Sequence, residues 1–316
     1  KPHAEVNVCS GWNNVPVKGL ADSSGRWNVR IKTPSASYTP YTLSVCSQND
    51  SVRFTDILIG DVWFVGGQSN MQMNFRGNPD QPVLHAQDIL LRCRHKGIRL
   101  FRVENGYSIE PSDTITINGK WTSATPDNVK EFSVVGYIFG EKLHQLVDIP
   151  IGLVQSAHGG SVAEAWLDRE TLEHFGEFNL DLKNKKIDPI WYTFEPTVLY
   201  NKMLAPLLPL AVKGVIWYQG ESNVERPEQY ARLFPELVRT WRKYFEKENL
   251  PFYYVQIAPY NHPKTNSAKF REVQLQLMDS IPNVGMAVTL DVGEPDIIHP
   301  ARKEVVGERL AYWALN

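Results

Sequence analysis

Short alternations of polar and apolar residues open the chain and give way, near residue 57, to longer apolar runs separated by segments of helical period. Glu5-Val6-Asn7-Val8 and Trp27-Asn28-Val29-Arg30-Ile31 have the two-residue period of half-buried strands, and Tyr41-Thr42-Leu43-Ser44-Val45 continues it. Turn chemistry at Asp22-Ser23-Ser24-Gly25 and Pro34-Ser35 breaks these runs. Residues 1–56 therefore read as a small, sandwich-like β module, so short that it lacks strands or leans on a neighbour. Beyond it, strands are predicted at 61–65, 98–103, 151–155, 212–218, 252–257 and 285–290. Helices are predicted over 133–147, with Val134, Val135, Ile138, Phe139, Leu143 and Leu146 in one stripe, over 228–245 (Leu233, Phe234, Leu237, Val238, Trp241) and over 267–281 (Phe270, Val273, Leu277, Met278). Near-continuous apolar strands alternating with helices predict residues 57–316 as an α/β domain, a mostly parallel sheet between two helical layers. Ligands of such sheets sit at the carboxyl ends of the strands.

Four of those ends carry unusual polar clusters. Gly66-Gly67-Gln68-Ser69-Asn70-Met71 follows the first long apolar strand; glycines ahead of a serine permit a tight strand-to-helix turn that exposes the hydroxyl and lets the serine N–H help hold an oxyanion. Taken alone, Ser69 reads equally as a helix N-cap. Ser156-Ala157-His158-Gly159-Gly160-Ser161 offers backbone N–H groups at a double glycine, with Ser161 and Glu164 spaced as a capping box. Tyr218-Gln219-Gly220-Glu221-Ser222-Asn223 loads a buried strand end with polar groups, which is costly unless they bind one another or a substrate. Asp296-Ile297-Ile298-His299-Pro300 precedes the last helix; Pro300 suits a first helical position, which puts His299 at the cap, and a carboxylate three residues earlier can reach the imidazole.

The order Gly-x-Ser, Gly, Gly-x-x-Asn, Asp-x-x-His at successive strand ends resembles the SGNH (GDSL-like) hydrolases, a three-layer, flavodoxin-like α/β/α fold. The resemblance is nearest to the sialate O-acetylesterase-like branch, through GQSNM at Gly67–Met71, WYQGESN at Trp217–Asn223 and the HP at His299-Pro300, and it extends from the β module to residue 316. It implies a serine esterase that removes acetyl groups from acylated sugars, most readily O-acetylated sialic acids, without a metal or organic cofactor. By the same resemblance Ser69 is the nucleophile and His299 its base, with Asp296 orienting the imidazole. The oxyanion would be held by the N–H of Ser69, by Gly159 or Gly160, and by Asn223. The acidic residue is not fixed in position in this branch, and Asp291 and Glu294 stand beside Asp296 as alternatives. Gln68, Gln219, Glu221, Glu164 and Trp166 are the nearest candidates to contact the sugar, although Trp166 reads equally as core and Glu164 as a cap. Members usually carry further β structure at both ends of the catalytic domain, and the resemblance suggests a secreted, periplasmic or lysosomal protein.

Composition narrows the rivals. The 33 Lys and Arg are scattered among 35 Asp and Glu, a net charge of −2, so there is no basic stripe to neutralise a nucleic acid backbone. No apolar run approaches the roughly 18 residues that span a bilayer. A nucleotide-binding reading needs GxGxxG or GxxxxGK[ST] after the first long strand, and neither follows Val65. Acetylated xylan or pectin remains an alternative substrate, and a carbohydrate-binding protein without chemistry a second one. Cys9, Cys46 and Cys93 lack metal-ligand spacing; Cys9 and Cys46 lie in the β module within reach of pairing. Asn49-Asp50-Ser51 is a glycosylation sequon. The chain opens at Lys1 without a methionine or apolar leader, as a processed or trimmed chain does.

Overall fold

The computed structural model describes every residue except 49, 116–118, 209, 263–264 and 316. The sequon asparagine lies outside the described residues. The chain divides into two compact units, Lys1–Asp61 with Asp148–Pro150, and Val62–Val147 with Ile151–Asn316.

The first unit holds β1 (Glu5–Ser10), β2 (Asn13–Leu20), β3 (Ser37–Ser47) and β4 (Asp50–Ile59), one antiparallel sheet in the order β2-β1-β3-β4. It runs past residue 56 because β4 continues to Ile59. The strand expected at Trp27–Ile31 is not formed: these residues are irregular and join neither sheet, Trp27 is exposed, and Val29 and Ile31 are half-buried. Cys9 and Cys46 do not pair. In the β1–β3 register Cys9 faces Ser44 and Cys46 faces Asn7, and both thiols are free. Such diagonal positions lie about 7–8 Å apart, too far for a disulfide.

The second unit follows the predicted alternation. In chain order it holds β5 (Asp61–Gly67), α1 (Ser69–Gln72), α2 (Ala86–Arg92), β6 (His95–Arg102), β7 (Thr122–Ala124), α3 (Pro126–Lys130), α4 (Val134–Val147), β8 (Ile151–Ala157), α5 (Arg169–Glu173), β9 (Gly214–Tyr218), α6 (Pro227–Tyr244), β10 (Phe252–Val255), α7 (Ser267–Ser280), β11 (Val284–Ala287) and α8 (Lys303–Leu315). The sheet order is β11-β10-β9-β5-β8-β6-β7, with β7 antiparallel at the edge. β9 and β10 are buried along their whole length, as strands covered on both faces must be. The apolar stripe of α6 lands in the core: Leu233, Phe234, Leu237, Val238 and Trp241 are fully buried, and Trp217 meets Trp241 edge to face with ring centroids 5.3 Å apart. On α4 the stripe stops at Leu143, and Leu146 is exposed. β5 is the first strand of this sheet in the chain, and later strands add on both of its sides, β8 on one and β9 on the other. Its carboxyl end is therefore the topological switch point, where an open α/β sheet leaves a crevice. Ser69 stands there.

Candidate active site

The turn out of β5 is built on a close backbone approach. Gly67 has φ +139°, and a Cβ on it would lie 2.1 Å from the Tyr218 carbonyl oxygen, so only glycine fits between β5 and the end of β9. Gln68 N–H donates to that carbonyl at 2.9 Å, and the chain turns directly into α1 with Ser69 as its first residue. The Ser69 N–H is one of the first-turn donors that a helix leaves without an internal acceptor. Ser69 is half-buried and lines an open cavity of about 430 Å³ with Gln72, Asn74, Arg76, Asn78 and Arg102 among its walls.

The β8 end meets this turn. His158 N–H donates to the Gly67 carbonyl at 3.0 Å, and a Cβ built on Gly159 would lie 3.5 Å from Ser69 Cβ. Gly159 N–H donates to Gln72 Oε1 at 2.8 Å, and Gly160, at φ +71°, turns the chain away. The capping box expected of Ser161 and Glu164 does not form. Ser161 Oγ accepts from Trp166 Nε1 at 3.0 Å, and the Glu164 carboxylate faces Asn223 and Arg226 instead.

Asn223 is buried, and its amide has one possible orientation. Oδ1 accepts from Ala163 N–H (2.9 Å) and Gln219 Nε2 (2.7 Å), while Nδ2 donates to Glu164 Oε2 (2.9 Å). Glu164 is held in turn by Arg226 at 2.8 Å. One Nδ2 hydrogen is thus committed to the carboxylate and the other is left for a further acceptor.

The expected sugar-contacting residues are all buried, 0 to 8% exposed. Gln68 Oε1 accepts from Gly220 N–H (3.1 Å) and Ser222 N–H (3.3 Å), Gln219 Nε2 donates to the Ser161 carbonyl and to Asn223, and Glu221 accepts from Asn70. Trp166 is core against Trp217. Glu164 braces Asn223. The polar strand ends bind one another, the alternative that buried polar groups always carry. The groups that do line the cavity, among them Gln72, Asn74, Arg76, Asn78 and Arg102, come from the end of α1, the segment after it and the end of β6, which sequence reasoning passed over. The available signal was Asn78-Pro79-Asp80-Gln81: Pro79 at the second position and Asp80 at φ +58° at the third make a tight turn, closed by reciprocal 3.0 Å bonds between the backbones of Asn78 and Gln81.

That turn reaches the imidazole. His299 is half-buried, and its Nδ1 is hydrogen-bonded to Gln81 Oε1, with Asn78 Nδ2 a longer contact at 3.4 Å. Asn78 Nδ2 can only donate and Gln81 Oε1 can only accept; when the shorter bond, to Gln81, is made, Nδ1 carries the ring proton and Nε2 is the free base. Burial, and after it the charge of Lys303, hold the His299 pKa down at about 4, so the ring is neutral at neutral pH. No hydrogen bond joins Ser69 and His299 among the described residues. The expected Asp296–His299 contact is absent too. Residues 294–297 form a turn, with Ile297 N–H donating to the Glu294 carbonyl at 3.3 Å, and Asp296 is exposed at its outer corner, after Pro295. Of the two alternatives, Asp291 is bound through both oxygens to Arg309 at 2.7 and 2.8 Å, which holds its pKa at about 2, and Glu294 begins the turn. The last helix starts at Lys303 rather than Pro300, so His299 lies in the loop ahead of it.

A neutral imidazole, a serine on a strained turn and N–H donors beside it are the parts of acyl transfer. Residues 59–316 match the family model described as carbohydrate esterase, sialic acid-specific acetylesterase. Sialate O-acetylesterase of Mus musculus is 29% identical over 96% of the chain and 66% of its own length; that of Homo sapiens is 31% identical over 93% and 61%. The chain thus spans about two thirds of the curated relatives it matches. A carbohydrate acetylesterase from Xanthomonas citri superposes with a TM-score of 0.88 at 34% identity, covering 99% of this chain and 68% of that one. The chain belongs to the carbohydrate esterase, sialic acid-specific acetylesterase family.

Proposed function

We propose that the protein hydrolyses O-acetyl esters of acylated sugars, with O-acetylated sialic acids as the preferred substrates, through an acetyl-enzyme on Ser69. The observation that carries this reading is Ser69 at the switch point of the sheet, packed against Gly159 and open to the cavity. Ser69 Oγ attacks the acetyl carbonyl while His299 Nε2 takes its proton. The N–H of Ser69, a glycine N–H (that of Gly160, or that of Gly159 once it releases Gln72 Oε1), and the remaining Asn223 Nδ2 hydrogen receive the oxyanion. Collapse of the tetrahedral species returns the proton to the departing sugar hydroxyl, and water then releases acetate by the same route. Asp296 is the carboxylate proposed to take over Nδ1 as the imidazolium forms. It makes neither a hydrogen bond nor an ion pair among the described residues, whereas Asp291 is committed to Arg309.

Preference for an acidic sugar is supported by Arg102. Arg102 lines the cavity, and its guanidinium donates to the backbone carbonyl of Glu131 at 3.2 Å, whereas Arg76 is committed to the Glu131 carboxylate. A planar fork of donors suits a substrate carboxylate. Acetate release from O-acetylated sialic acid, measured beside acetylated xylan and acetylated pectin, tests the reading. Arg102→Gln is expected to raise KM for the sialic acid and to leave KM for acetylated xylan unchanged. Faster release from xylan by the wild-type protein would move the substrate to a neutral glycan, and release from none of the three would favour a binding protein.

Asn223→Ala is expected to lower kcat by about a hundred- to a thousand-fold, the usual effect of losing one oxyanion donor. KM should stay within a few-fold, because that bond tightens in the transition state. Removing the amide also strands Ala163 N–H and leaves Glu164 with Arg226 alone, so the melting temperature should fall as well. Loss of KM alone would make Asn223 a substrate-positioning residue.

A further inference from the structure

Directly behind Ser69 and His299 lies a group of buried polar residues that the acyl-transfer scheme does not use. Asn70, the residue after Ser69, is buried, and its amide is engaged at both ends. Oδ1 accepts from Lys303 Nζ, while Nδ2 donates to Glu221 Oε1 at 2.5 Å and to the Ile298 carbonyl at 3.0 Å. Lys303 opens α8, is 1% exposed, and lies 5.5 Å from the centre of the Tyr218 ring; Glu221 follows β9. One side chain therefore ties the helix that begins with Ser69 to the residue that precedes His299, and a cation on one side and an anion on the other fix which end of the amide points where.

We propose that Asn70, clamped between Lys303 and Glu221, is the positioning residue that sets His299 against Ser69. This rests on the acyl-transfer reading above. A lysine and a glutamate buried this deeply are costly unless their charges are used. Here the ammonium binds an amide oxygen and the carboxylate an amide N–H, so the amide stands between the two charges. Rotating Asn70 by half a turn would set Nδ2 against the ammonium and Oδ1 against the carboxylate and the carbonyl, so the orientation that holds Ile298 is the one both charges enforce. Lys303 also acts on His299 through space. Its positive charge disfavours the imidazolium and adds to the effect of burial, so the base stays unprotonated. Burial holds the Lys303 pKa at about 7, against the pull of Glu221, whose own pKa burial raises. Among the described residues, the hydrogen-bond partners of the His299 ring are the neutral amides of Asn78 and Gln81; Tyr218 faces Lys303 from β9; and on α4, which packs against α8, Glu141 is occupied by Arg92 and His95 and Lys142 by Glu308.

Asn70→Ala and Lys303→Met test the proposal on p-nitrophenyl acetate, with melting temperatures recorded alongside. Both are expected to lower kcat about a hundredfold, the scale of a small misplacement of a catalytic group, with KM within threefold. In Lys303→Met the acid limb of kcat/KM is also expected to move to higher pH, because the charge opposing the imidazolium has gone; a merely structural brace would lower the melting temperature and leave that limb in place. Should either variant fail to fold, the wild-type protein labelled with 13C-histidine supplies the answer without turnover. The His299 ring is expected to show one inflection near pH 4 and a second near pH 7, the second reporting Lys303. Variants that fold with kcat unchanged would overturn the positioning role, and a single inflection would overturn the part given to Lys303. Loss of acetate release in the wild type with both inflections present would overturn the esterase reading and leave the coupling of Lys303 to His299 standing.

Discussion

Ser69→Ala is expected to lower kcat by about a millionfold, the scale on which losing a serine nucleophile disables an acyl-transfer site. The folded state should be untouched. Ser69 is half-buried, its hydroxyl makes no hydrogen bond among the described residues, and alanine suits the first turn of a helix at least as well as serine. An organophosphonate should add one covalent label to the wild-type protein and none to the variant, read by intact mass and located by peptide mapping. Ser156 and Ser161 are the serines to watch, because they flank the β8 end beside the cavity. Both are fully buried and already engaged, Ser156 with the Met203 carbonyl at 2.9 Å and Ser161 with Trp166. A label on either one would move the nucleophile and with it the whole site.

Asp296→Asn should cost about 10⁴-fold in kcat, the scale of replacing the carboxylate of a serine–histidine pair by an amide that cannot stabilise the imidazolium. Gln81→Ala should cost less than about tenfold, because Gln81 offers Nδ1 a neutral acceptor and cannot stabilise the imidazolium that forms during turnover. Asp291→Asn should change stability rather than rate. Its carboxylate is bound to Arg309 and its pKa lies below the unfolded value, so it stabilises the fold above about pH 4 and that contribution fades as pH falls through about 2. All three variants on one ester substrate separate two machines. The reverse order, with Gln81→Ala severe and Asp296→Asn mild, would mean that the amide seen on Nδ1 is the working partner and that Ser69 and His299 act as a dyad.

The α/β layering was legible because its carriers are long and periodic: α4, α6 and α7 begin and end within one residue of the expected bounds, and all six predicted strands of the main sheet are present. The β module was harder. A two-residue period in Trp27–Ile31 is indistinguishable from that of a strand until one asks which backbone it would pair with, and it joins neither sheet. At the site, motif positions were readable because Gly67 and Ser69 obey local backbone rules. Partners were not, because a hydrogen bond such as His299 to Gln81 spans residues far apart in the chain. The polar residues beside the motifs misled for a related reason: Gln68, Gln219, Glu221 and Glu164 are exactly as polar as sugar ligands would be, and only burial tells a brace from a contact. The polar reading of Asn70 was likewise invisible until Lys303 was seen to close on it.

The hairpin at Asn78–Gln81 belongs to two tasks at once. Its first residue, Asn78, lines the cavity together with Asn74, Arg76 and Gly77 just before it, and its last, Gln81, bonds Nδ1 of His299. Recognition and proton transfer therefore share about eight residues of chain. An engineer who grafts a new loop there to admit a bulkier acetylated sugar also rewrites the lever that presses on the base. Substrate range and turnover should then drift together in any library confined to this loop, whereas changes at Arg102, which lines the same cavity from the end of β6 and makes no hydrogen bond to His299 among the described residues, should separate them.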